Sequence, residues 1–129
     1  MKKVELLAPV KDKECLRAVI ENGADSVYMG YQRFNARMFG KNFDESEFGE
    51  HIKYAHENNV KVYLTLNTLI REDEICLALQ MANRAVKDGV DGILVQDMGL
   101  AAEIQKNIPD ANLHASTQMS ISNHYGVQV

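Results

Sequence analysis

The sequence has no tryptophan, only two prolines and only two cysteines in 129 residues. Prolines this sparse leave long stretches free to form regular backbone, and no low-complexity run interrupts them. Cys15 and Cys76 have no Cys or His neighbour at metal-ligand spacing, so the segment carries no cysteine-based metal site of its own. Each falls within a helical pattern and is expected to be a small apolar residue, buried or half-buried, in a reducing compartment. No apolar run approaches the roughly 20 residues that a membrane span requires. The apolar stretch after Lys2 and Lys3 is too short for the core of a secretory signal. A cytoplasmic location, with no membrane partner, is the expectation. Basic charge is also scarce: the formal net charge is −4, so no global field draws in nucleic acid, and any RNA contact must come from a local patch.

What the chain does have is regular alternation. Val4-Glu5-Leu6-Leu7-Ala8 predicts a first strand, stopped by Pro9. Asp12 is placed to cap a helix over 13–22, which Gly23 ends. Asp25 to Met29 predicts a second strand, followed by a long loop over 30–43. Asp44 and Glu47 have capping-box spacing and open a predicted helix over 45–58 with Phe48, Ile52 and Ala55 inward. His51 and His56 on that helix do not share a face, form no zinc motif and are expected to be solvated. Val60 to Leu66 is a β-branched and aromatic third strand. A helix over 72–87 then presents Ile75, Ala78, Leu79, Ala82 and Val86 on one stripe, ending at Gly89. Gly92 to Val95 is a fourth strand, 99–107 a fourth helix, and Asn112 to Ala115 a fifth strand introduced by Pro109.

The helix-to-strand junctions resemble one another: Asn22-Gly23-Ala24-Asp25-Ser26-Val27, Asn58-Asn59-Val60-Lys61-Val62, and Asp88-Gly89-Val90-Asp91-Gly92-Ile93. Each offers a Gly or Asn suited to a left-handed helix end, and their interval, roughly 30–36 residues, is one βα unit. Strict alternation demands a parallel sheet covered by helices. Ala8-Pro9-Val10-Lys11 stands where a dinucleotide fold would have its glycine-rich turn, which favours a barrel over a doubly wound sheet. The expectation is therefore an α/β chain: the N-terminal five βα units of an incomplete (β/α) TIM-barrel-like fold, spanning 1–129. Such barrels need about 250 residues. The remainder of the barrel is expected in cis or on a partner chain.

Barrel chemistry collects at the C-terminal ends of the strands. In order these ends supply Thr65 and Asn67, then Gln96 and Asp97, then His114, Ser116, Thr117 and Gln118. Asp97 has three readings: base, metal ligand, or cap of the helix that follows. His114 is either a layer residue bonded to a strand neighbour or a ligand contact and general base. Asp97, His114 and Ser116 are the one nucleophile–base–acid set on the rim, yet no nucleophile-elbow motif surrounds Ser116. The loop over 30–43 interleaves Tyr31, Phe34, Phe39 and Phe43 with Arg33, Arg37 and Lys41. It is either a folded cover with its own small core or a single-stranded RNA platform, with Arg37 directed at a carboxylate or phosphate.

Glu5-Leu6-Leu7-Ala8-Pro9, Gly23-Ala24-Asp25-Ser26-Val27-Tyr28, Phe34-Asn35-Ala36-Arg37, Lys41-Asn42-Phe43, Val62-Tyr63-Leu64-Thr65-Leu66-Asn67-Thr68, Val95-Gln96-Asp97 and His114-Ala115-Ser116-Thr117-Gln118-Met119 occur in order along nearly the whole chain. Together they resemble the N-terminal region of the collagenase-like peptidase family (family U thirty-two). The resemblance implies a barrel-like domain and a peptidase label, with protein or peptide as substrate. For other members it implies oxygen-independent hydroxylation of a tRNA uridine, a ribosomal RNA cytidine or a quinone precursor. It implies no cofactor within this segment and, in the hydroxylating members, an iron–sulfur cluster held by cysteines beyond residue 129. On this reading Asp97 and His114 are the catalytic candidates. Asn35, Arg37, Asn67, Gln96 and Thr117 are the substrate-binding candidates. A non-catalytic half barrel that docks on a separate chain is the remaining alternative.

Overall fold

The computed structural model describes residues 4–36 and 42–128. Five strands form one wholly parallel sheet in sequential order: β1 (Leu7–Pro9), β2 (Ser26–Met29), β3 (Lys61–Leu66), β4 (Gly92–Val95) and β5 (Leu113–Ala115). The helices between them are α1 (Lys13–Glu21), α2 (Phe48–Glu57), α3 (Ile75–Asp88) and α4 (Met98–Asn107), and a short α5 (His124–Val127) follows β5. Sequential parallel order with a helix after each strand is the winding of a (β/α) barrel, here with β1 and β5 as its two edges. Among the described residues no helix is long and apolar enough to cross a membrane.

Strand alternation gives the sheet two unlike faces. Val27, Met29, Val62, Leu64, Leu66, Ile93 and Val95 point to the helices and are buried. They meet Leu16 of α1, Phe48 and Ile52 of α2, Ala78 and Ala82 of α3, and Leu100 and Ile104 of α4 in one continuous core. The opposite, concave face carries Glu5, Ser26, Tyr28, Lys61, Tyr63, Thr65, Gly92, His114 and Ser116, by the register of the ladders. It is mostly polar.

The junctions behave as their sequence implies. Gly23, Asn59 and Gly89 all have positive φ, at 86°, 60° and 99°, and release each helix into the next strand. Two of the three junctions add an aspartate that accepts a backbone N–H from the preceding strand's segment: Asp25 from Leu6 at 3.0 Å and Asp91 from Val62 at 2.7 Å. At the third junction that position is Lys61, which reaches Glu5 instead.

Several local expectations are corrected. Pro9 does not stop β1 but closes it, and the strand starts at Leu7 rather than Val4. Val10 N–H donates to Tyr28 of β2, so the neighbouring position 9 faces the outer edge, where a missing N–H costs nothing. Asp44 and Glu47 form no capping box. Asp44 instead accepts from the Ser46 amide and hydroxyl, and α2 begins only at Phe48. His51 is buried, its ring 4.7 Å from that of Phe43, and the burial lowers its pKa. His56, by contrast, is exposed as expected, with its Nε2 bonded to Asp91 at 2.8 Å. Cys15 is half-buried as expected, with its thiol 3.6 Å from the Pro9 carbonyl, but Cys76 is exposed. The buried stripe of α3 turns toward Ala78, Met81, Ala82 and Ala85, leaving Ile75, Leu79 and Val86 at its margins.

Gly92 is the tightest position on the concave face. A Cβ there would lie 3.0 Å from the Tyr63 ring, 3.1 Å from the Asn112 carbonyl oxygen and 3.2 Å from His114 Nε2. Gly92→Ala is expected to destabilise the fold by about 1–3 kcal/mol through overpacking against a backbone atom that cannot move aside. Urea unfolding measures this, and an unchanged midpoint would show that the sheet yields there at no cost.

Candidate functional site

The concave face is built in alternating sizes. Tyr63 on β3 and His114 on β5 are separated by β4, yet their rings lie 4.9 Å apart because Gly92 between them has no side chain. On the other side of Tyr63, its hydroxyl donates to Glu5 Oε1 at 3.1 Å and Lys61 Nζ donates to Glu5 Oε2 at 2.8 Å, across the small Ser26 of β2. Side chains of Glu5, just before β1, of β3 and of β5 thus meet across the small Ser26 and Gly92 of the strands between them. The Lys61 ammonium, helped by the neighbouring Ser26 hydroxyl, holds the Glu5 carboxyl below its usual range. Lys61 is raised in turn by Glu5, and Tyr63 is raised by desolvation and then by Glu5.

Above this layer stands the rim. Thr65 is 3% exposed, and its Oγ1 has no hydrogen-bond partner among the described residues. It closes over Gly30 together with Asn35: a Cβ on Gly30 would come within 2.3 Å of Thr65 Oγ1 and 2.4 Å of Asn35 Nδ2. Asn35 is buried and acts as a staple, donating to Tyr31 O at 3.4 Å and Asn42 Oδ1 at 2.8 Å. Asn67 Oδ1 accepts from the Ala36 amide at 3.1 Å, tying the same loop to the end of β3. Gln96 Nε2 donates to Gln118 O at 3.4 Å, and Thr117 opens the exposed turn that Gln118 belongs to. Asn67 and Gln96 thus lie on the rim, each already spanning two chain segments.

Asp97 is bonded to backbone through both oxygens. Oδ1 accepts from Leu100 N–H at 2.8 Å as the cap of α4, and Oδ2 accepts from Ile70 N–H at 3.2 Å. Of its three readings the cap is the one the geometry displays. His114 lies one layer deeper, on the inner wall, with its ring against Tyr63 and its Nε2 3.2 Å from Asn112 Nδ2. Ser116 is buried, and its Oγ accepts from Gln118 N–H at 3.4 Å. No hydrogen bond joins Asp97, His114 and Ser116, so the described residues do not assemble a nucleophile, a base and an orienting acid. Arg37, the fifth substrate-binding candidate, lies outside the described residues, as do Phe39 and Lys41. Tyr31, Phe34 and Phe43 are buried at 1%, 6% and 4% exposure, so in this loop they form a small core, not a stacking platform.

Tyr63, Lys61, Gly92 and Asn112 were not singled out by sequence reasoning. The signal was available for β3, where Lys61, Tyr63, Thr65 and Asn67 alternate with Val62, Leu64 and Leu66. Among the described residues no cluster of three His, Cys, Asp or Glu side chains could hold a metal. Cys15 and Cys76 sit on α1 and α3, and neither has a partner thiol. These residues do not fit an iron–sulfur cluster.

The alternating parallel sheet, its covering helices and the loops at the strand ends define a barrel-type α/β fold with a mostly polar open face. The profile of peptidase family U32 matches residues 11–129, and the chain belongs to that family. It is 41% identical over 123 residues to an uncharacterized protease of Methanocaldococcus jannaschii, covering 93% of this chain and 29% of that protein. It is 38% identical over 119 residues to a 23S rRNA 5-hydroxycytidine synthase of Escherichia coli, covering 92% of this chain and 18% of that protein. The chain thus spans less than a third of the length of these curated relatives. The fold matches the structure of a U32 peptidase with a TM-score of 0.67 at 15% identity, covering 90% of this chain and 50% of that one.

Two outcomes are expected from this geometry. Thr65→Val replaces a buried, unpartnered hydroxyl by a methyl group and is expected to stabilise the fold by roughly 1 kcal/mol in urea unfolding. A loss of stability instead would mean that the hydroxyl has a partner after all. The second concerns Glu5, whose folded pKa is depressed. Its contribution is present above the ordinary carboxylate range and is lost as pH falls through the lowered value. Glu5→Gln is therefore expected to be less stable at neutral pH and to show a shallower acid limb below about pH 5. Superimposable pH profiles would remove the ion pair from the account.

Proposed function

We propose that this chain forms the substrate-binding wall of an RNA-hydroxylating enzyme acting on a pyrimidine base. One observation carries the reading: the concave face offers amide, hydroxyl, phenol and imidazole groups able to hydrogen-bond, and the described residues assemble no hydrolytic constellation. Asn67, Gln96 and His114 provide donors and acceptors of the kind that read the polar edge of an unstacked base. A base must leave its stack to present its edge to such a face, and a curved wall suits an extruded nucleotide better than a peptide that has to lie across a surface. The relationship to the 23S rRNA 5-hydroxycytidine synthase supports this reading.

In this reading the residues of the chain bind and orient the base, and Glu5, Lys61 and Tyr63 keep the inner layer rigid beneath it. An iron–sulfur cluster, which the family resemblance implies for hydroxylating members, would be held by residues other than these. Peptide hydrolysis is the second reading. It is favoured by the 41% identity to a protein named as a protease, but no activated nucleophile among the described residues supports it.

Deleting the gene is expected to remove a hydroxylated pyrimidine from tRNA or ribosomal RNA, read by mass spectrometry of digested nucleosides, and the wild-type gene is expected to restore it. Unchanged nucleosides together with cleavage of denatured collagen by the purified full-length protein would replace this proposal with the hydrolytic one.

A further inference from the structure

His114 has been weighed so far as a general base or a ligand contact, and the hydrogen bonds around it decide between them. Asn112 Nδ2 lies 3.0 Å from the Asp91 carbonyl oxygen and 3.2 Å from His114 Nε2. The carbonyl can only accept, so the amide nitrogen, and not the amide oxygen, must face it. Turning the amide over would set two oxygens against each other. This fixes the amide orientation without reference to the histidine. The second N–H of the same group then points at Nε2, which must accept it through its lone pair. An imidazole that accepts at Nε2 carries its proton on Nδ1.

The rest of the surroundings hold the ring in this pose. The Tyr63 ring packs against one side at 4.9 Å, and Tyr63 is itself anchored through its hydroxyl to Glu5. The absent side chain of Gly92 leaves the space that Nε2 occupies, 3.2 Å from where a Cβ would be. Among the described residues Nδ1 has no partner, and His114 is exposed on the concave face.

We propose that His114 acts as a neutral hydrogen-bond donor, presenting Nδ1–H to a carbonyl oxygen of the bound pyrimidine, and that Asn112 is the positioning residue that sets this tautomer. The proposal rests on the reading of the concave face as a base-binding wall. It assigns His114 a task opposite to that of a base: the lone pair that could take a proton is already engaged, and what the ring offers the substrate is an N–H. Uracil and cytosine share the carbonyl at ring position two, so one donor serves either base. Asn112 touches no substrate and acts through His114 alone.

The test uses full-length protein labelled with nitrogen-15 in histidine, with His114 assigned by comparison with His114→Asn. Two-bond nitrogen–proton correlations are expected to show Nδ1 protonated and Nε2 bare. Asn112→Asp, which puts an acceptor opposite Nε2, is expected to reverse the pattern, and Asn112→Ala to leave a mixture. A protonated Nε2 in the wild type, or a pattern that Asn112→Asp leaves unchanged, would overturn the assignment. The donor role is read separately, from hydroxylated nucleosides in a complemented deletion strain. His114→Asn retains an N–H near the Nδ1 position but cannot serve as a base. It is expected to keep product formation within about tenfold of wild type, whereas His114→Ala falls about 100-fold or more. Equal loss in both variants, or no loss in His114→Ala, would overturn the donor role. A wild-type strain with no hydroxylated product would overturn the function proposed above, while the tautomer measurement would still stand or fall by itself.

Discussion

The contact on which the interior depends is the meeting of Tyr63 and His114 across a strand that separates them. In a parallel sheet, side chains two strands apart are too distant to touch unless the strand between them stands aside. Gly92 does this on β4, and Ser26 does the same on β2 for the reach of Lys61 and Tyr63 to Glu5. The result is a polar layer of contacts running from Glu5, just before β1, through Lys61 and Tyr63 of β3 to His114 of β5. Its members come from strands that are not neighbours, so it ties the sheet together crosswise, where backbone hydrogen bonds only tie adjacent pairs. It also fixes curvature, since side chains on one face can converge across a gap only if the sheet bends toward them.

This layer is charged at an exposed ion pair, Lys61 with Glu5, and it keeps the condition that each charge has a partner. Glu5 meets that condition with a full ion pair and a phenol, and the junction aspartates Asp25 and Asp91 meet it with backbone N–H groups. The helix-facing side of the same strands has the opposite chemistry, Val, Leu, Ile and Met on the central strands with Ala at the edges. Division of labour follows from the two-residue period of a strand: every second position builds stability against the helices and every other one is released for recognition. Asp97 marks the limit of that division. It follows β4 directly, but capping α4 and holding the Ile70 amide turn it away from recognition.

Much of this was legible beforehand. Strand and helix order, the parallel sheet, the left-handed exits at Gly23, Asn59 and Gly89, and the Asp12 cap all follow from period, glycine placement and cap chemistry, which are local properties. What could not be read are the features set by distant partners. The burial of His51 depends on where Phe43 lands after a long loop. The inclusion of Pro9 in β1 depends on which strand edge faces β2. The capping-box spacing at Asp44 lost to a tighter turn with Ser46, a competition between two local motifs that composition does not rank. At the site, the rim residues Asn67 and Gln96 were accessible because they trail apolar strands. The inner layer was not, because the meaning of Gly92 lies entirely in what stands on either side of it.

The same reasoning underlies the proposal of recognition in place of hydrolysis. A hydrolase must leave a nucleophile and a base mutually bonded yet open to substrate. Here Ser116 is buried beneath a turn, Asp97 is consumed by two amides, and the lone pair at Nε2 of His114 is filled by Asn112. Among the described residues, these three candidates for supplying or relaying a proton each have a structural partner. What is left unspent on the cavity side is a set of donors and acceptors whose geometry is fixed by others. A pre-set array of that kind gains its binding energy without reorganising, which is what reading the edge of a planar base requires.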